Sequence, residues 1–127
     1  VIFGIGTDLV EIARVARIYA RHGERFANHV LMPEELTILR TDARPERFIA
    51  MRFAAKEAVV KALGTGFGAS VGLRDVGVIR AAAGQPTVTW SSRGARCCEQ
   101  LGVGEAHISL ADEAGLAVAF AVLMRKP

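Results

Sequence analysis

The sequence predicts an α+β fold: an amino-terminal strand, three helices, then antiparallel strands with one further helix among them. Three features carry that prediction. Val1–Thr7 is β-branched and aromatic in character, 46–63 is alanine-rich with apolar residues at helical spacing, and beyond Val71 the period changes from helical to alternating. At 127 residues the chain has the size of a single domain, 1–127, which buries roughly two-thirds of the surface of its extended form.

In the opening strand Gly4 and Gly6 thin one face, so another segment can approach the backbone closely. Alternation puts Gly4, Gly6 and Asp8 on the same side, with the Asp8 carboxylate emerging at the strand's end. An aspartate at this point equally suits the N-cap of the helix that follows. That helix is predicted from Leu9 to about Arg21, with Ile12, Val15, Ile18 and Tyr19 on its apolar side. Its other side carries Arg14, Arg17 and Arg21, and Arg25 follows the break at Gly23. Such a stripe is commonly a solvated face. Interrupted only by Glu11 and Glu24, it also suits the acidic helix of a partner protein.

Pro33-Glu34-Glu35 opens a short helix that runs to about Arg40, with proline in the first turn and acids at the positive end. Arg44-Pro45 resets the chain, and Glu46 begins a long central helix. Within it Phe53, Val59, Val60 and Leu63 give an apolar side. Glu57 and Lys61 stand one turn apart on one face. As a surface ion pair they contribute about 0.3–0.5 kcal/mol. Gly64 is a natural helix stop. Together with Gly66, Gly68 and Gly72 it leaves backbone N–H groups uncovered beside Arg52, Lys56 and Lys61, a setting for an anion such as phosphate. No Gly-x-x-x-x-Gly-Lys-Ser/Thr pattern occurs, which argues against a P-loop hydrolase.

Beyond the glycines, Asp75–Ala82 and Thr87–Trp90 read as strands joined through Ala83-Gly84-Gln85-Pro86. Ser91 or Ser92 caps a helix to Leu101 that Gly94 weakens. Ala106–Ala111 and Leu116–Met124 form a hairpin around Asp112–Gly115, and the nearly all-apolar second strand belongs at the centre of a sheet. His107 and Ser109 share one face of the first strand.

Composition narrows the function. A hydrophobic fraction of 51% with 23% charged residues is that of a globular protein with apolar surface to hide in an oligomer. The net charge of +3 suits an acidic partner, but aromatics at 6% and the absence of a dense basic patch argue against nucleic acid. No apolar run approaches the ~20 residues of a membrane span, and no basic-then-apolar leader opens the chain. The two cysteines, Cys97 and Cys98, are adjacent, which suits neither a disulfide nor a metal site. The expectation is a cytoplasmic protein.

Gly4-Ile-Gly-Thr-Asp8-Leu-Val-Glu11-Ile and Arg52-Phe-Ala-Ala-Lys56-Glu57-Ala-Val-Val-Lys61-Ala-Leu-Gly-Thr-Gly66 resemble the two signatures of holo-acyl-carrier-protein synthase, the small bacterial phosphopantetheinyl transferase. The resemblance continues through Gly84-Gln85-Pro86 and His107-Ile-Ser109-Leu, in the family's order and approximate spacing. It implies the transfer of the phosphopantetheine arm of coenzyme A to a serine of apo-acyl carrier protein, releasing adenosine bisphosphate, as in fatty acid biosynthesis. It also implies a homotrimer with sites between subunits.

Residue by residue, Asp8 and Glu57 resemble the carboxylates that hold magnesium against the coenzyme A diphosphate, and Lys61 the cation beside it. Arg52, His107 and the Gly64-Thr-Gly66 loop match positions around the rest of coenzyme A, and Pro86 a residue on the adenine side. Arg14, Arg21 and Arg25 match the basic positions that dock the acidic helix of the carrier; Arg17 is an addition. The chemistry agrees, since magnesium prefers hard oxygen ligands and takes few of them from the protein. Glu57, directly or through water, suits the role of acceptor for the serine proton, and a base on the carrier is the alternative. Two departures stand out: Asp112 occupies a position where many members have histidine, and Met32 replaces the usual threonine before Pro-Glu-Glu. A non-catalytic basic module for acidic helices would explain the arginine stripe alone, and a small RNA-binding domain would lack stacking aromatics. Metal-dependent coenzyme A binding separates the enzyme from both.

Overall fold

The computed structural model describes residues 1–127. Two antiparallel sheets and five helices make up the chain. Strand β1 (Ile2–Glu11) leads through helices α1 (Ile12–His22), α2 (Glu24–Val30) and α3 (Pro33–Leu39) to α4 (Pro45–Leu63). A single 3-10 turn at Leu73–Asp75 precedes strands β2 (Val76–Arg80) and β3 (Pro86–Trp90), followed by α5 (Ser92–Leu101), β4 (Val103–Glu113) and β5 (Leu116–Arg125). The larger sheet has the order β1-β5-β4, and β2 pairs with β3 in the smaller one. The apolar β5 is thus central, as its composition requires. The hairpin turn narrows to Ala114 and Gly115, both at positive φ (53° and 78°), the backbone a two-residue hairpin turn demands.

Helix α4 lies across one face of the larger sheet, and small residues let it come close. A methyl group on Gly4 would stand 2.1 Å from Ala62 O, and one on Gly6 would stand 2.0 Å from Ala58 O. On the neighbouring strand Ala117, Ala119, Ala121 and Leu123 meet the helix fully buried. The close approach read from the two strand glycines is therefore made by the backbone of α4. No helix is long and apolar enough to cross a membrane.

Several boundaries differ from the expectation, each for a tertiary reason. Strand β1 continues to Glu11 because β5 pairs with it to the end, Leu9 opposite Val118 and Glu11 opposite Leu116. The first helix therefore starts at Ile12 rather than Leu9, and Asp8 lies inside the strand instead of at its end or at an N-cap. Helix α2 was not expected from its sequence; it holds by burying Ala27 and Val30, each 1% exposed. Strand β4 extends to Glu113 along its partner. Of the two candidate serines, Ser91 caps α5, its Oγ accepting from Gly94 N at 3.0 Å. Gly94 itself is required there, since a methyl group would stand 2.4 Å from Asp75 O. Cys97 and Cys98 are free and buried, and burial pushes the Cys98 thiol up to about 11.

Candidate active site

The register of β1 turns Asp8 toward α4, on the same side as the two glycines. One turn of α4 supplies Glu57 and Lys61 on a common face. The three side chains meet at one end of a cleft of about 360 Å³. Lys61 Nζ donates to Asp8 Oδ1 at 3.2 Å and to the Thr7 carbonyl at 3.0 Å. Burial raises the pKa of Glu57, the Asp8 charge raises it further, and Lys61 opposes both. Two acids that repel one another beside a single lysine form a place where added positive charge is favoured.

The rest of the cleft is mostly apolar, with Glu11 and Arg14 as its other charged residues. Val15, Ile18, Phe26 and Phe53 line it, and Arg14 of α1 stands on its wall. Phe26 also borders a shallower depression formed with His22, Arg25 and His29 of α1 and α2. The exposed Arg14, Arg21 and Arg25 thus lead away from the acidic end along the first two helices.

Other predicted site residues lie elsewhere in the chain. Gly64 ends α4 at φ 81° with its N–H bonded to the Val60 and Lys61 carbonyls, and Gly66 follows at φ 65° in an exposed loop. Pro86 begins β3, half-buried. His107 is exposed on the outer face of β4, with Nε2 3.3 Å from Glu105 Oε2.

Arg52 and Lys56 were expected beside the glycine loop, and the structure corrects this. Both point into the interior, because five residues from Arg52 to Glu57 turn the helix by about 140°. Lys56 is fully buried, with Nζ 2.5 Å from Glu35 Oε1 and also donating to the Val76 carbonyl. Arg52 stacks over Phe48 at 4.4 Å and donates Nε to the Val78 carbonyl at 3.0 Å. Burial lowers the pKa of both cations, and Glu35 opposes the shift. Glu35 also accepts from Val78 N and from Met32 N, each at 2.9 Å. It thereby caps the α3 start that Met32 leaves without a side-chain cap. Sequence reasoning missed Glu35 because an acid in a first helical turn reads as a dipole partner. Asp112 is held by Arg47 in a two-point pair, Oδ1 to Nη2 at 2.6 Å and Oδ2 to Nε at 3.0 Å. That bond keeps the Asp112 carboxyl below its ordinary range and the Arg47 guanidinium above its own.

An α+β chain that brings paired acids and a lysine together in one cleft has the parts a phosphoryl-group transferase needs, and comparison with known proteins identifies the class. A sequence profile of the 4'-phosphopantetheinyl transferase superfamily matches residues 4–121. The holo-[acyl-carrier-protein] synthase of Halorhodospira halophila is 49% identical over 123 residues, covering 97% of this chain and 98% of that one. The crystal structure of holo-[acyl-carrier-protein] synthase from Neisseria meningitidis superposes with a TM-score of 0.94 at 36% identity, over 98% of this chain and 100% of that one. The Helicobacter pylori holo-[acyl-carrier-protein] synthase in complex with coenzyme A gives a TM-score of 0.82 at 28% identity, over 94% of this chain and 98% of that one. The chain belongs to the holo-acyl-carrier-protein synthase family of phosphopantetheinyl transferases.

Proposed function

We propose that this enzyme transfers the 4'-phosphopantetheine group of coenzyme A to a serine of an apo-acyl carrier protein in fatty acid biosynthesis, releasing adenosine 3',5'-bisphosphate, in a magnesium-dependent reaction. The observation that carries the proposal is the meeting of Asp8, Glu57 and Lys61 in one cleft whose wall bears Arg14. The donor set fits magnesium: two carboxylates without a third ligand of the His, Cys, Asp or Glu kind match an ion that takes its remaining oxygens from phosphate and water. Asp8 and Glu57 would hold it, and when bound it supplies charge neutralisation at the diphosphate. The serine oxygen attacks the phosphorus that carries the pantetheine arm, and the phosphoanhydride bond to the adenosine bisphosphate breaks. Lys61 stabilises the charge gathering on the departing phosphate. Glu57, with its pKa raised by burial and Asp8, receives the serine proton.

Arg14, Arg21 and Arg25 dock the acidic face of the carrier so that its serine enters beside Glu57. The remaining coenzyme A contacts, assigned to Gly64, Gly66, Pro86 and His107, lie outside the cleft of their own chain, whereas Arg52, buried against Phe48 and the Val78 carbonyl, drops out of that set. Their dispersal suits a homotrimer in which one subunit completes the site of the next. Apolar residues on the outer face of the larger sheet, Ile5, Leu9 and Phe120, support such an assembly because a monomer would leave them in water.

The test is the intact mass of an apo-acyl carrier protein after incubation with enzyme, coenzyme A and magnesium. The expected gain is one phosphopantetheine group, lost with a chelator and reduced about 100-fold or more in rate by Asp8→Ala or Glu57→Ala. Folded enzyme that modifies no carrier would overturn the proposal and favour a binding module.

A further inference from the structure

The glycine-rich segment after α4 is held by a side chain that lies outside it. Between Gly64 and Gly72 the backbone N–H groups of Thr65, Gly66, Phe67, Ala69 and Ser70 find no acceptor in the protein; within the loop only Gly68 N bonds to a backbone carbonyl, that of Val71 at 2.9 Å. Its carbonyls are treated differently. Arg93, in the first turn of α5, donates Nη2 to Gly68 O at 2.9 Å and to Ala69 O. The guanidinium is anchored in turn, with Nη1 3.2 Å from Asp75 Oδ2. The same oxygen accepts from Gly72 N at 2.7 Å, and the other Asp75 oxygen accepts from Ser91 Oγ at 2.6 Å. Ser91 caps α5, and Ser91 N donates to Asp75 O at 3.0 Å, so the clamp is fixed to a corner where α5 abuts the 3-10 turn.

The geometry of the peptide bond gives this clamp a consequence. In a trans peptide the C=O and the following N–H point in opposite directions. Drawing the Gly68 and Ala69 carbonyls toward Arg93 directs the Ala69 and Ser70 N–H groups away from it. A loop with free donors and one cation holding its far side presents a partial positive face to an anion. The Asp75 carboxylate partners the guanidinium on its own side, which leaves the backbone donors as the loop's outward charge.

We propose that Arg93 is a positioning residue for coenzyme A, fixing the 64–72 loop so that its N–H groups meet the phosphates of that substrate. This rests on the transferase reading given above. Because the Arg93 side chain is 45% exposed, Arg93→Ala leaves the core intact. Steady-state transfer to an apo-acyl carrier protein should show the KM for coenzyme A raised about ten-fold, or about 1.4 kcal/mol, with kcat and the KM for the carrier within about two-fold of the parent enzyme. Hydrogen exchange at Gly68 and Gly72, whose N–H groups bond to the Val71 carbonyl and to Asp75 Oδ2, should quicken, and Arg93→Lys, which keeps a cationic donor, should recover part of the loss. A KM for coenzyme A within two-fold of the parent in folded Arg93→Ala overturns the proposal, as does an equal rise in both KM values. If Arg93→Ala fails to fold, Arg93→Lys decides: a KM rise confined to coenzyme A supports the proposal, and no rise overturns it. If the parent enzyme itself modifies no carrier, the transferase reading has failed instead.

Discussion

Glu57 stands between two neighbours with opposite effects on its charge. Burial and the Asp8 carboxylate raise its pKa, and Lys61 counters them only in part. An acid whose pKa rises on folding contributes stability below its unfolded pKa, and that contribution is lost as pH rises through the folded value. At neutral pH in a chelator, Glu57→Gln should therefore melt a few degrees above the parent protein, while transfer falls about 100-fold or more. Below about pH 4, where a glutamate is largely protonated, the gap in melting temperature should close. Thermal melts at both pH values check this. A variant that melts lower at neutral pH would show that Glu57 supports the fold through contacts rather than opposing it through charge.

At the scale of elements, α4 serves two purposes on two of its sides. One side carries Glu57 and Lys61 to the cleft. Another carries Lys56 and Arg52 to Glu35 of α3 and to the Val76 and Val78 carbonyls of β2. The buried cations tie the smaller sheet and α3 to the helix that bears the site, so Glu35 of the Pro-Glu-Glu segment, Lys56 and Arg52 belong to one polar network. Helix α1 divides similarly, burying Val15 and exposing Arg14, Arg17 and Arg21. Carrier docking is predicted at this scale. Arg14→Ala combined with Arg21→Ala should raise the KM for the carrier about ten-fold or more at low salt, with the KM for coenzyme A and kcat little changed. The difference from the parent should shrink as salt is added. Initial rates at several salt concentrations measure it, and an unchanged carrier KM would exclude these arginines from docking.

The whole molecule leaves one face of its larger sheet unpaired with any helix. Ile5 is 59% exposed, Leu9 60% and Phe120 45%, and β1 and β5 set them side by side with Thr7 opposite Phe120 and Leu9 opposite Val118. Contiguous apolar surface of this kind is characteristic of an oligomer interface. Phe120→Asp should therefore convert the proposed trimer to monomer, read as a threefold fall in mass by light scattering, and should lower transfer if the site is shared between subunits. A parent protein that is already monomeric at micromolar concentration would remove the trimer from the proposal.

Much of this architecture was legible in the sequence where the determining physics is local. The strand character of the first residues, the stop at Gly64, a serine cap at Ser91 or Ser92 and the apolar β5 each follow from neighbouring residues. The Glu57–Lys61 spacing follows from helix periodicity, and the Gly4, Gly6 and Asp8 face from strand alternation. Tertiary structure decided what those faces meet. Pairing with β5 carried β1 three residues into a segment whose pattern also suits a helix, and so kept Asp8 within the strand. Close packing against the strand glycines brought Lys61 to Asp8 across 53 residues of sequence. The same packing turned Arg52 and Lys56 inward to Glu35, although along the chain they look like partners of the glycine loop. Helical and strand periods fix which side chains share a side; only the burial of those sides against one another fixes whether a charge faces substrate or core.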